Sequence, residues 1–471
     1  MRSEEFRAHG YEVIDWIANY MRDVETLPVA PRVKPGDIRR ALPAAAPEEP
    51  ETIAACLEDL SRSIVPGLMH WQSPNFFGYF PANSDPAAML GDFLSSGLGV
   101  QGMLWSTSPA CTELETHMLD WLAQLLDLPV TFRSPDGGGS RGGGVIQDTA
   151  SSATLCAAIS ARERARGVAA GAQGDPLGRL VAYSSTQAHS SIEKALRIIG
   201  IPSDRLRTIE VDDQWAMRPS ALRGAIEADR ARGLIPCFCV AAVGTTSTLA
   251  VDPVESIGQI CNEHGVWLHV DAAMAGIAAI CPEFREMHRG LERADSYCVN
   301  PHKWLGAGFD CDAFYVANRA ALVGALSILP EYLRNAATES GAVIDYRDWQ
   351  VPLGRRFRAL KLWLLFRANG ARALREMVRT HVGFARSLAD RMRTDPRFEV
   401  IEPQTLGLVC FRLRGGDAAT ESLLTAINES GRAFMTHTRL SSRYIARVSI
   451  GQRTTTAAHV DALWSLLSAR A

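Results

Sequence analysis

The sequence predicts an α/β protein built on a mainly parallel central sheet with helices on both faces, joined to a helical N-terminal segment and a small C-terminal α/β domain. Three observations predict it. Short β-branched runs recur between about residues 86 and 355, each followed by a stretch with helical spacing. Those runs are largely apolar, as strands covered on both sides must be. At 471 residues, with 47% hydrophobic and 21% charged content, the chain can fill a large core and is neither disordered nor fibrous.

Residues 1–85 read as helices joined by proline-rich turns. Phe6, Val13, Ile14, Ile17, Tyr20 and Met21 fall at helical spacing and form one apolar stripe. The prolines of LPVAPRVKPGD and LPAAAPEEPET then break any helix. So interrupted a segment does not bury its stripe alone, and it is expected to lie on another domain or a partner subunit.

Residues 86–355 form the large domain. Strands are predicted at GVIQ (144–147), RLVAYSS (179–185), PCFCVAAVG (236–244), VWLHVDAA (266–273) and SYCVN (296–300). Helical stretches such as ATLCAAISARERA and ALRGAIEADRARG lie between them. The glycine-rich PDGGGSRGGG (135–144) reads as a flexible surface loop. Residues 356–471 form the small domain: a long helix, RRFRALKLWLLFRANG, ending at Asn369-Gly370, a second helix, then the strands RFEVIEP, LGLVCFRLRGG and YIARVSIG, with a helix before the last.

Charge narrows the partners. With 49 Lys+Arg against 52 Asp+Glu, net −3, neither nucleic acid nor a membrane surface is expected. No apolar run approaches the roughly 18 residues that span a bilayer. The polar start MRSEEFRAHG lacks a signal region. The ten cysteines are scattered without zinc spacing and read as reduced core thiols. The expectation is a soluble cytoplasmic protein with no metal.

Ligands of such sheets bind beyond the carboxyl ends of the strands, and the suggestive residues fall there. Only four lysines exist: Lys34, Lys194, Lys303 and Lys361. Lys303 alone follows a strand, in NPHKW, between His302 and Trp304, where desolvation would lower its pKa and make it a nucleophile. Asp271 ends the strand VWLHVDAA, and a carboxylate there either pairs with a cationic ligand group or caps the next helix. VIQDTASSAT (145–154) runs from a strand into hydroxyl residues and a helix start, which suits a phosphate as well as ordinary capping. His189 in AHSS and Thr246 in GTT also follow strands. A Schiff-base lysine, an acid for a ring nitrogen, a phosphate seat and a ring-stacking group together describe one cofactor, pyridoxal phosphate.

The segments HVDAA (269–273), NPHKW (300–304), TSPACTELE (107–115), AHSS (188–191) and PLGRRFRALK (352–361) resemble the pyridoxal-phosphate-dependent aromatic L-amino acid decarboxylases, the group II decarboxylases, in a bacterial-type form. The resemblance runs almost end to end, from EFRAHGYEVIDWIANY through PGDIRRALP and HWQSPNFFGYFP to RVSIG. It implies the aminotransferase-like (fold type I) fold and a homodimer with active sites at the interface. It implies that Lys303 carries the cofactor, Asp271 pairs with the pyridinium nitrogen and His189 stacks on the ring. Ala150, Ser151 and Asn300 would hold the phosphate, with Thr246 and His302 close by. LPEYLRN (329–335) resembles the family's catalytic loop, making Tyr332 or a nearby histidine the proton donor to the substrate carbon.

For the substrate, an aromatic L-amino acid, the resemblance implies a pocket of Trp71, Tyr79, Phe80, Pro81 and Ala82, with Gln101 and Met103 from the partner subunit. Ala82, Met103 and Met274 depart from the animal pattern of Thr, Phe and Tyr, which weakens a catechol preference. Gly354 matches the small residue that admits indoles in plant relatives. Tryptophan-, phenylalanine- and DOPA-like substrates stay open. An aldehyde synthase on the same scaffold is the nearest alternative, disfavoured because Tyr332 and His189 are both present. Glutamate decarboxylation lacks a partner for a second carboxylate. A non-catalytic cofactor binder would have lost Lys303 or Asp271.

Overall fold

Each apolar run of the large domain becomes a strand in the computed structural model, which describes residues 1–134, 141–168, 176–328 and 343–471. The strands are β1 (Gly143–Gln147), β2 (Leu180–Ser185), β3 (Leu206–Ile209), β4 (Ile235–Ala242), β5 (Trp267–Asp271), β6 (Ser296–Val299) and β7 (Asp312–Val316). They form one sheet in the order β1-β7-β6-β5-β4-β2-β3. Pairing from β6 through β5, β4 and β2 to β3 is parallel, whereas β7 runs antiparallel to both β1 and β6. The amino end of β7 therefore shares an edge with the carboxyl ends of the other six. β5 buries Trp267, Leu268, His269 and Val270 alike, so both faces of the sheet are covered. The helix Ala150–Val168 lies along β4–β6, and the helices Pro219–Ala231 and Val254–His264 pack on β3–β5.

β3 and β7 are short strands the sequence pattern did not single out. The glycine-rich segment also needs correcting, since only residues 135–140 lie outside the described residues. Gly143 and Gly144 are buried in β1, and a Cβ on Gly142 would run into the carbonyl oxygens of Thr131 and Val316. These glycines admit a close backbone approach; they are no surface loop.

Two units emerge from the contacts within the chain. One comprises Ala82–Gly383 and Glu402–Leu408 and holds the seven-stranded sheet; the other comprises Met1–Pro81, Phe384–Ile401 and Val409–Ala471. The second of these carries β8 (Phe398–Val400), β9 (Leu408–Leu413), β10 (Thr436–Leu440) and β11 (Arg443–Ser449) in the order β10-β11-β9-β8, over a core that includes Phe77, Leu388, Phe411, Val448 and Leu463. β10 is an addition to the strands read from sequence. Helix 359–394 breaks at Gly370, whose φ of 71° only glycine adopts without strain. The first helix, Ser3–Asp23, buries no residue and leaves Phe6, Val13, Ile14, Ile17 and Met21 exposed. Among the described residues no helix is long and apolar enough to cross a membrane.

Candidate active site

The four lysines, indistinguishable by charge, are separated by the fold. Lys34 and Lys194 are exposed. Lys361 is buried, its Nζ donating to Asp92 Oδ2 at 2.9 Å and to the Gly308 carbonyl at 3.2 Å, a structural anchor. Lys303 lies in the tight turn Pro301–Leu305 between β6 and β7.

That turn is pinned from both sides. The His302 N–H donates to the Cys311 carbonyl at 3.2 Å, and the Cys311 N–H donates to His302 Nδ1 at 2.9 Å. Asn83 Nδ2 donates to the Lys303 carbonyl at 3.1 Å. Burial drives the His302 pKa down to about 3, so the imidazole is neutral with Nδ1 committed as an acceptor. The Asn300 side-chain amide lies between Asp312 Oδ1, at 2.6 Å from one end, and Lys303 Nζ, at 3.2 Å from the other; hydrogen bonding satisfies both contacts with the nitrogen turned to Asp312 and the oxygen to Nζ. Desolvation lowers the Lys303 ammonium below the usual lysine value, against the opposing pull of Asp271, Cys298 and Asp312.

Asp271 is the last residue of β5, next to β6 in the sheet. Its Oδ1 accepts from the Ala273 N–H at 3.0 Å, so it turns the chain locally while standing near Lys303. His189 follows β2, and its Nδ1 accepts from the Ser191 N–H at 3.1 Å. Desolvation lowers its pKa, with Asp271 raising and Lys303 lowering it further, which puts all three groups in one electrostatic neighbourhood. Thr246 sits in the loop after β4. Buried Asp252 shapes that loop by accepting from the Ala242 and Met217 N–H groups, each at 2.7 Å, and burial pushes its carboxyl up to about 6. Ala150 and Ser151 open the helix Ala150–Val168 directly after β1. The first-turn N–H groups of a helix have no intrahelical acceptor.

A half-buried amine of lowered pKa, a carboxylate on the adjacent strand, an imidazole beyond a third strand and a helix start beyond a fourth fit pyridoxal phosphate. Of the residues that the sequence resemblance assigns to the substrate, Trp71, Tyr79, Phe80 and Pro81 fall in the smaller unit and Ala82, Gln101, Met103 and Gly354 in the larger. Trp71 stacks on Tyr79 with ring centroids 5.5 Å apart, and Arg447 lies over the Phe80 ring at 5.2 Å. Gln101 Oε1 accepts from the Arg355 N–H at 2.6 Å, and a Cβ on Gly354 would sit 3.2 Å from Gln101 Nε2. The Met103 carbonyl accepts from the Arg347 N–H at 3.1 Å. Tyr332 lies outside the described residues.

Sequence reasoning missed Asp312 and Cys298 beside Lys303, and the buried Glu115–Arg355 pair that braces β1. For Asp312 a signal existed: an acid opening the apolar run DAFYV.

The pyridoxal-dependent decarboxylase conserved domain matches residues 35–414. Aromatic-L-amino-acid decarboxylase of Mus musculus is 47% identical over 473 residues, covering 99% of this chain and 98% of the relative. Phenylacetaldehyde synthase of Arabidopsis thaliana is 44% identical, covering 100% of this chain and 96% of its own length. A crystal structure of Oryza sativa TDC with PLP and tryptamine superposes with a TM-score of 0.97 at 39% identity, covering 100% of this chain and 98% of that one.

Proposed function

The chain belongs to the pyridoxal-dependent decarboxylase family, and from that premise we propose that it converts aromatic L-amino acids of the tryptophan/5-hydroxytryptophan or phenylalanine/tyrosine/DOPA class to arylalkylamines and carbon dioxide. It is a carboxy-lyase with pyridoxal phosphate as cofactor. The observation that carries the reading is the convergence of Lys303, Asn300, Asp271 and His189 on one sheet edge, in a chain covered end to end by aromatic decarboxylases.

Bound pyridoxal phosphate supplies an electron sink for the charge left when carbon dioxide departs. The residues of the chain do the rest. The lowered pKa of Lys303 keeps its amine reactive. In this reading the Asp271 carboxylate holds a proton on the ring nitrogen, His189 covers the ring, and the helix start at Ala150 and Ser151 receives the phosphate. Tyr332 is proposed to return a proton to the substrate carbon. Trp71, Tyr79 and Phe80 offer flat apolar faces to an aromatic side chain.

A homodimer is part of the proposal. The exposed apolar stripe of Ser3–Asp23, and Leu90, Phe93, Leu94 and Leu98 exposed on the helix Pro86–Leu98, are surfaces that a monomer would not leave to water. A cytoplasmic location fits nine buried free cysteines.

Oxidative deamination to an aldehyde is the second reading, favoured by the Arabidopsis thaliana relative. Mass spectrometry of products from phenylalanine, tyrosine, DOPA, tryptophan and 5-hydroxytryptophan separates the two. Amines without peroxide support the decarboxylase, aldehyde with peroxide supports the synthase, and no product from any of them removes the aromatic substrate class.

A further inference from the structure

We propose that Asp312 is a positioning residue for Lys303: by accepting the Asn300 amide N–H, it turns the amide oxygen toward Nζ. The inference rests on Lys303 being the cofactor lysine, and it concerns what aims that lysine.

A carboxamide has a donor end and an acceptor end, and nothing in its own shape decides which faces a neighbour. Beside a protonated lysine only the oxygen end pairs, because an ammonium has donors and no lone pair. Asp312 makes the choice. Its side chain is fully buried at the start of β7, opposite Gln147 of β1; its Oδ1 lies 2.6 Å from one end of the Asn300 amide and Nζ lies 3.2 Å from the other, and only with the nitrogen toward the carboxyl and the oxygen toward Nζ do donors meet acceptors at both contacts.

A buried carboxyl costs stability unless it is hydrogen-bonded, and the side-chain group within hydrogen-bond distance of Asp312 is the Asn300 amide. Desolvation, reinforced by Asp271 and Asp148, raises the Asp312 carboxyl well above the usual carboxylate range. In either protonation state Oδ1 still accepts from Asn300. The titratable groups facing Lys303 are Asp271 from β5, Cys298 from β6 and Asp312 from β7, with His189 after β2 and His302 in its own turn.

The test uses full-length, cofactor-free protein, so it does not depend on turnover. Lysines are pulse-acetylated across a pH series and Lys303 is read by peptide mass spectrometry, with exposed Lys194 as the internal reference. Losing an acceptor of the ammonium should lower the Lys303 labelling midpoint by about one pH unit in Asp312→Ala. Asn300→Ala removes the bridge at its other end and should give the same downward shift, which keeps the test open if Asp312→Ala does not fold. Asp312→Asn retains an acceptor oxygen and should label like the parent. In an Asn300→Ala background, Asp312→Ala should add no further shift.

The proposal is overturned if Asp312→Ala labels like the parent, if Asp312→Asn shifts as far as Asp312→Ala, or if Asp312→Ala shifts the midpoint further in the Asn300→Ala background. Borohydride reduction of the holoenzyme with peptide mapping reports the cofactor lysine separately. Label away from Lys303 removes the premise, whereas label on Lys303 with unmoved midpoints removes only the role of Asp312.

Discussion

Arg355 and Glu115 face each other as a two-point ion pair with both side chains 1% exposed, Nη1 to Oε2 at 3.0 Å and Nη2 to Oε1 at 2.6 Å. The pair also brackets β1: Glu115 Oε1 accepts from the Ile146 N–H at 2.8 Å, and Arg355 Nη2 donates to the Ile146 carbonyl at 2.9 Å. Gln350 Oε1 takes the remaining Nε proton at 3.0 Å. The strand that ends at the proposed phosphate seat is thus clamped by two side chains more than 200 residues apart in sequence.

Breaking the pair from one side strands a buried charge. Arg355→Met is expected to cost about 3–5 kcal/mol, and Arg355→Lys nearly as much because an ammonium cannot replace the planar fork. Urea unfolding of cofactor-free protein measures both. A loss within about 1 kcal/mol for Arg355→Met would show that the pair contributes little.

Lys303→Ala is expected to abolish amine formation and borohydride labelling while the fold persists. Asp271→Asn should keep the label on Lys303 yet lower kcat by about a hundredfold or more, because charge stabilisation during the reaction is lost. Full activity in either variant would remove that residue from the proposed chemistry.

At Gly354, an added Cβ meets Gln101 Nε2 at 3.2 Å, and that amide is held at its oxygen end by the Arg355 N–H. Gly354→Ala therefore narrows the space with little room for relief. The ratio of kcat/KM for tryptophan over DOPA should fall about tenfold. Steady-state kinetics on both substrates check this, and an unchanged ratio would take Gly354 out of the proposed pocket.

Acid sensitivity follows from three buried histidines. Burial holds His269 and His288 at about 4 and His302 at about 3. Their folded values lie below the unfolded 6.5, so the unfolded chain takes up protons first. Their contribution is intact above about pH 6.5 and is lost as pH falls toward 4. His288, which meets the Tyr297 hydroxyl at 3.2 Å, can be changed without touching the Lys303 turn. His288→Gln should flatten the loss of stability between pH 6 and 4.5 by up to about 1.4 kcal/mol per pH unit. Urea midpoints across that range read the slope, and a slope equal to the parent's would mean His288 is not held neutral.

The rule that ligands gather at carboxyl strand ends points to Lys303, Asp271, His189 and Thr246, and in the sheet β2, β4, β5 and β6 are parallel and finish on one edge. The same rule passes over Asp312. β7 is reversed, so the residue it brings to that edge is its first, and strand direction is set by pairing across the sheet. Lys361 shows the same gap. It stands among arginines in the sequence, and only packing against Asp92 and Gly308 distinguishes it from a surface cation.

What the sequence determined by itself was local. Apolar runs and helical spacing specify which segments become strands or helices, and long motifs specify the family, since each depends on near neighbours in the chain. What the tertiary structure decided was non-local: the reversal of β7, the placing of Asn300 between Asp312 and Lys303, the burial of Lys361 and the clamp of Arg355 on Glu115. Each of these depends on desolvation and hydrogen-bond partners supplied from distant parts of the chain, which no reading of neighbouring residues contains.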